Sequence, residues 1–73
     1  MIDTTGRRLM TIRISREMSC EEFGALLGLK ALDIAHLESE DFYPPLDFQI
    51  RLKYRFPEVD LYWFKNGDGP PIH

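Results

Sequence analysis

Residues 19–38, SCEEFGALLGLKALDIAHLE, restrict the chain to a fold in which a tight turn joins two short helices. Ser19 and Glu22 have capping-box spacing, in which the hydroxyl and the carboxylate each accept a backbone N–H at a helix start. Gly28 ends that helix, because glycine enters left-handed backbone conformations without steric cost. Apolar residues at helical spacing follow the turn and give a second helix a stripe to bury.

The rest of the sequence predicts three more helices, which places the chain in the all-α class. Pro44 and Pro45 suit a helix start, where a fixed φ and a missing N–H are tolerated. Asn66 and Gly67 are typical of a helix end. We expect helices near residues 5–17, 20–27, 31–38, 45–55 and 60–65, and a flexible tail over about 67–73. The residues expected to be buried are Leu9, Phe23, Leu26, Leu27, Ile34, Leu37, Leu46 and Ile50.

The length of 73 residues predicts a single domain spanning 1–73. A core this small is marginal alone, which favours self-association. Cys20 is the single cysteine, so no intrachain disulfide forms, and His36 and His73 lie too far from it in sequence to indicate a zinc site. No apolar run reaches the length of a membrane span, and the N-terminus has no signal-peptide pattern. We expect a cytoplasmic protein with no metal and no cofactor.

Four segments together resemble one known family. Residues 19–38 resemble the core of phage-repressor-type helix-turn-helix domains (Cro-like and Xre-like), and GRRLMTIR, PPLDFQIRL and DLYWFKNGDGP resemble their first helix, fourth helix and C-terminal end. The resemblance implies a compact five-helix, lambda-repressor-like domain with its helix-turn-helix unit at about 19–38. It further implies a small DNA-binding transcriptional regulator that binds operator DNA as a homodimer.

The resemblance also carries two structural expectations. Gly24 stands where the family has a small residue, because the two helices of the unit cross closely there. Arg13 and Glu38 match a family salt bridge that ties the first helix to the end of the third. If that pair is partly buried, losing one partner costs more than the ~0–1 kcal/mol of an exposed pair.

The family reads DNA with the N-terminal half of the third helix, while cations contact phosphates. Carried over to this chain, the DNA-binding residues are Arg7, Arg8, Arg16, Lys30, Ala31, Leu32, Asp33 and His36. The chemistry of this set departs from the family pattern, because the bidentate base readers arginine, glutamine and asparagine are missing from positions 31 to 33. The arginines also suit a merely solvated helix face.

Two other kinds of function, protein binding and catalysis, are alternatives for the same residues. A net charge of −3 and a weak base-reading surface favour a DNA-silent helix-turn-helix domain that binds another protein, with Leu32 and His36 in the contact. Catalysis has little support, since no spacing joins Cys20 to His36 as a nucleophile and base. We therefore expect no enzymatic activity and no catalytic residue.

The C-terminal segment predicts where a homodimer forms. It offers more apolar surface than one short terminal helix readily buries against the other four. A two-fold dimer there would space two recognition helices about one DNA turn apart. The residues expected in the dimer contact are Leu61, Tyr62, Trp63 and Phe64.

Overall fold

A computed structural model describes residues 3–69, which form five α-helices and no β-strand. The helices are α1 Thr5–Ser15, α2 Cys20–Leu27, α3 Ala31–Glu38, α4 Leu46–Arg55 and α5 Leu61–Asn66. The predicted all-α class is confirmed, and each predicted helix is present. Residues 70–73 of the predicted tail lie outside the described residues. None of the described helices has the length and apolar character needed to cross a membrane.

The start of α2 has the capping box that its sequence predicts. The Ser19 hydroxyl accepts the Glu22 N–H at 3.1 Å, and the Glu22 carboxylate accepts the Ser19 N–H at 3.0 Å. Gly28 ends the helix in the left-handed conformation, with φ of 73°. Local chemistry therefore sets both ends of α2.

The capping box lowers the pKa of Glu22 below that of an ordinary glutamate, chiefly because the charged carboxylate accepts the Ser19 backbone N–H. A lowered folded-state pKa contributes stability above the unfolded pKa, and this contribution is lost as pH falls through the folded value. Proline fits the Ser19 φ of −75°, and Ser19→Pro removes both the backbone N–H and the hydroxyl of Ser19, each of which lowers the pKa of Glu22. We expect it to raise the pKa of Glu22, measured by carboxyl NMR titration, more than Ser19→Ala does. Identical titration curves in all three proteins would contradict this assignment.

The end of α1 differs from prediction by two residues. The helix ends at Ser15 because Glu17 adopts a left-handed backbone with φ of 55°. The Met18 N–H then donates to the Arg13 carbonyl at 3.2 Å, which closes the turn. No glycine or proline marks this position, so the residue types here carry no stop signal.

The core joins all five helices through large apolar side chains. Of the residues predicted to be buried, Leu9, Phe23, Leu27 and Ile34 are buried, while Leu26 and Leu37 are half-buried and pack against the core. Leu46 and Ile50 are exposed, so this part of the prediction is wrong. The buried hydrophobic core residues not in the predicted set are Ile12, Phe48, Leu52, Phe56, Val59 and Phe64.

The error at Leu46 and Ile50 has a simple cause in α4. From residue 46 to 56 apolar residues occupy every second position, so two stripes with the same i, i+4 spacing lie on opposite faces of the helix. The structure buries the stripe that holds Phe48, Leu52 and Phe56. Phe48 stacks on Phe64 with ring centroids 6.2 Å apart, and Phe56 meets Phe23 at 5.4 Å. The more aromatic stripe fills the core, because aromatic side chains bury the larger apolar area.

Candidate nucleic-acid interface

Close packing between α2 and α3 fixes the orientation of α3. A Cβ added to Gly24 would lie 2.6 Å from the Leu29 carbonyl oxygen and 3.3 Å from Ile34 Cγ1. The Leu29 N–H also donates to the Gly24 carbonyl at 2.8 Å. The expectation that Gly24 allows close packing is confirmed, and the connection itself makes the tightest contact.

A salt bridge holds the other end of α3 against α1. Arg13 Nε donates to Glu38 Oε2 at 2.6 Å and Nη2 donates to Oε1 at 3.0 Å, as predicted. Arg13 Nη1 also donates to the Met18 carbonyl at 2.9 Å. The Glu38 carboxylate raises the pKa of Arg13, so the guanidinium stays charged. Both ends of α3 are thus fixed to the rest of the domain.

Asp33 has a structural task that sequence did not predict. Its Oδ2 accepts the Lys30 backbone N–H at 3.1 Å, while the Lys30 side chain makes no capping bond. An anion in the first helical turn also opposes the positive end of the helix dipole. The signal was available, because a carboxylate at the third helical position is the second half of a capping box. The Asp33 carboxylate is therefore directed back to the start of α3.

The outward face of α3 brings together most of the predicted reading residues. Leu32, Asp33 and His36 are exposed and line one shallow groove with Leu29 and Leu37. Leu32 has 68% of its surface exposed, although an apolar side chain of that size is normally buried. Ala31 is half-buried at the start of the helix.

The four predicted phosphate-binding cations differ in their surroundings. Arg7 and Lys30 are exposed. Arg16 is exposed too, but its guanidinium pairs with Glu58 and lies 5.3 Å from the centre of the Phe56 ring. Arg7 and Lys30 are therefore open to an anion from solvent, whereas Arg16 must first release its carboxylate partner.

Arg8 is not available to a phosphate, contrary to prediction. It is only 6% exposed, its Nε donates to the Phe64 carbonyl at 2.7 Å, and its Nη1 pairs with Asp3 at 3.1 Å. Arg8 lies one helical turn before buried Ile12, so helical spacing already placed it on the inner face of α1. Its role is to join α1 to α5.

The predicted C-terminal dimer surface is mostly covered within the domain itself. Phe64 is fully buried, and Leu61 and Trp63 are half-buried against the core. The Phe64 ring packs against the rings of Phe42 and Phe48, which explains why α5 turns inward. Of the four residues only Tyr62 is exposed, so the predicted apolar excess at α5 is wrong.

Cys20 is half-buried at the first position of α2 and packs against the core. Within residues 3–69, no group of three or more histidine, cysteine, aspartate or glutamate residues is placed to hold a metal ion. No protein-family model, curated protein or solved structure matches the chain.

Proposed function

We propose that the chain is a small DNA-binding transcriptional regulator of the phage-repressor type, which acts as a homodimer and presents α3 to the major groove. The observation that supports this proposal is the exposed face of α3, carried on a helix fixed by Gly24 at one end and by the Arg13–Glu38 pair at the other. A rigidly held helix with an uncovered face suits insertion into a groove about 12 Å wide.

The charges of this surface predict weak and salt-sensitive binding. Phosphate contacts supply most of the affinity when base readers are few, and the cations available to the phosphates are Arg7, Arg16 and Lys30. Ala31 and Leu32 are limited to apolar contact with thymine methyl groups. Selectivity therefore depends on half-site spacing and on a few methyl contacts.

The direct experiment titrates the unmodified protein against the DNA immediately upstream of its own coding sequence at low salt. Binding is expected at roughly tens of micromolar, because even the non-specific affinity of DNA-binding proteins reaches this range. Random DNA of equal length should bind only moderately less well. The absence of any shift at that concentration would overturn the proposal.

Lys30→Ala is expected to weaken binding to all DNA sequences alike. One lost phosphate contact should reduce the slope of log affinity against log salt by about one unit. Lys65→Ala is the matched control, because it removes the same charge from an exposed residue on α5. An unchanged slope in Lys30→Ala, or an equal loss in both variants, would contradict a contact at Lys30.

Asp33→Asn completes the same titration. Asparagine still offers an oxygen to the Lys30 N–H and removes an anion near the phosphates. Tighter binding is therefore expected. Weaker binding, with helix content preserved, would indicate that the Asp33 carboxylate itself contacts the nucleic acid.

The exposed Leu32 favours one alternative function, a DNA-silent helix-turn-helix domain that binds another protein. In that case Leu32 would enter an apolar pocket of the partner, beside the groove that His36 lines. Leu32→Ala would abolish capture of the partner, and neither Lys30→Ala nor Asp33→Asn would change any DNA shift. The upstream-DNA titration separates the two functions.

A further inference from the structure

An unburied apolar stripe runs along α4. Leu46, Ile50 and Tyr54 have 71%, 60% and 79% of their surfaces exposed, and they are spaced four residues apart on one face. A groove between this face and the end of α2 continues the surface to Ala25 and Leu26. Three large apolar side chains aligned on one helix indicate an interaction surface, whereas single exposed ones are ordinary.

We propose that this stripe binds a second copy of the chain, with the two α4 helices antiparallel about a two-fold axis that passes beside Ile50. The proposal deepens the homodimer of the proposed function and places it on α4 instead of α5. Its formation requires no DNA, so the two proposals can fail independently.

The spacing of the stripe fits such an axis. Leu46 and Tyr54 each lie four residues from Ile50, one on either side. In an antiparallel pair centred on Ile50, Leu46 lies opposite the partner's Tyr54, and the two Ile50 side chains meet at the centre. A two-fold interface must be complementary to itself, and this arrangement makes each apolar residue meet another.

Charges beside the stripe select the antiparallel direction. At 3.6 residues per turn, Asp47, Arg51 and Arg55 lie on one flank of the stripe, and a two-fold antiparallel pair brings equal flanks together. Asp47 is three residues before Ile50, while Arg51 and Arg55 are one and five residues after it. Each Asp47 therefore lies level between the partner's Arg51 and Arg55, displaced by about 3 Å from each along the axis. The two Arg51 residues also lie about 3 Å apart along the axis at the centre of this flank, and an Asp47 on either side of them offsets their repulsion.

A parallel pair would place opposite flanks together, with Arg51 near the partner's Lys53 and like charges in contact. The antiparallel pair also places the Asp47 carboxylate of the other chain near Arg55. Within residues 3–69 Arg55 forms no ion pair, and its guanidinium lies 5.5 Å from the centre of the Tyr54 ring. Asp47 pairs with Arg51 of its own helix at 3.4 Å and remains largely exposed, so it can accept a second cation.

The size of the α4 surface determines how tightly the two chains are expected to bind. The ten residues of α4 extend about 15 Å. Their exposed face is smaller than a standard interface of about 1,600 Å², so a dissociation constant on the order of 100 µM is expected. A dimer of this strength forms readily on adjacent DNA half-sites, where the local concentration is high.

Sedimentation equilibrium of the full chain without DNA tests the surface. Ile50→Glu should raise the dissociation constant about thirtyfold, the effect of losing a central interface anchor. Tyr62→Glu is the matched control on α5, because Tyr62 is similarly exposed. Circular dichroism should show unchanged helix content in both variants. A wild-type protein that stays monomeric at about 1 mM, or a dimer lost in Tyr62→Glu and kept in Ile50→Glu, would overturn the proposal.

A charge exchange tests the direction of pairing. Asp47→Arg and Arg55→Asp should each dimerise more weakly than wild type. Their equimolar mixture should form a mixed dimer, because the arginine introduced into one chain then faces the aspartate introduced into the other. No gain on mixing would overturn the antiparallel arrangement. A dimer with these properties and no DNA shift would leave the α4 interface standing and reject the DNA-binding function.

Discussion

Gly6→Ala is expected to destabilise the domain by about 3 kcal/mol, a large part of the stability of a chain this small. A Cβ at residue 6 would overlap the carbonyl oxygens of Leu37 and Glu40 and would lie 2.7 Å from that of Glu38. All three are backbone atoms in the last turn of α3 or just after it, so no side-chain rotation relieves the overlap.

The contact at Gly6 joins the start of α1 to the end of α3. The Gly6 N–H donates to the Glu40 carbonyl at 2.9 Å, and the Thr5 N–H donates to Asp41 Oδ1 at 3.0 Å. Separating the helices would weaken these bonds at about 1 kcal/mol each. Overpacking costs about 1–3 kcal/mol and sometimes more, while the helix propensity of alanine returns only about 1 kcal/mol. The steric cost therefore exceeds the gain in helix propensity, and Gly6→Ala destabilises the domain.

Urea unfolding followed by circular dichroism measures this effect. Arg7→Ala is the control, because it changes the next residue of the same turn at an exposed side chain and should alter the unfolding free energy by less than about 0.5 kcal/mol. A Gly6→Ala protein as stable as wild type would show that α1 and α3 separate without cost.

The two ends of α2 were predictable because they depend on local chemistry. The capping box at Ser19 and the left-handed Gly28 act within one helical turn, so sequence alone specifies them. The Arg13–Glu38 pair and the close packing at Gly24 came from a resemblance, since they join residues distant in sequence. Gly6 carries no local signal, because its constraint lies in the end of another helix.

Hydrophobic spacing did not predict which face of α4 is buried. Both stripes of the helix satisfy the same i, i+4 rule, and only packing against Phe23 and Phe64 distinguishes them. Because Leu46 and Ile50 were expected to be buried, the exposed stripe through Ile50 was not predicted, and the dimer surface was expected on α5. An arginine such as Arg8 is similarly ambiguous, because a charged side chain can be buried when carbonyls and a carboxylate surround it.

For the outward face of α3, the exposed positions of Leu32, Asp33 and His36 were predictable from sequence, whereas the hydrogen bond that Asp33 accepts was not predicted. Leu32, Asp33 and His36 share one exposed face, as helical geometry requires. The bond from the Lys30 N–H to Asp33 depends on where α3 begins, which was known to within a few residues. A shift of one residue in that boundary would have made Asp33 a free anion.

Glu38→Gln is expected to lower the free energy of unfolding by about 3 kcal/mol, because it leaves the Arg13 charge partly buried without a counterion. Glu38 is 6% exposed and receives two hydrogen bonds from Arg13. Asp47→Asn is the matched control at protein concentrations well below the dissociation constant of the proposed α4 dimer, since it breaks an exposed i, i+4 pair with Arg51 and should cost less than about 0.5 kcal/mol. Urea unfolding of the two variants side by side gives the comparison.

The Arg13–Glu38 pair also bears on the proposed function, because it fixes the C-terminal end of the helix that would enter the groove. Its loss should raise the amide exchange rates of α3 more than those of α4, whose core contacts do not pass through Glu38. Arg13→Met combined with Glu38→Leu should recover much of the lost stability, since a hydrophobic pair of similar volume avoids the desolvation cost of the charges. Equal costs for Glu38→Gln and Asp47→Asn would mean that water reaches the pair, and that the carbonyl contacts at Gly6, more than this salt bridge, hold α3 against α1.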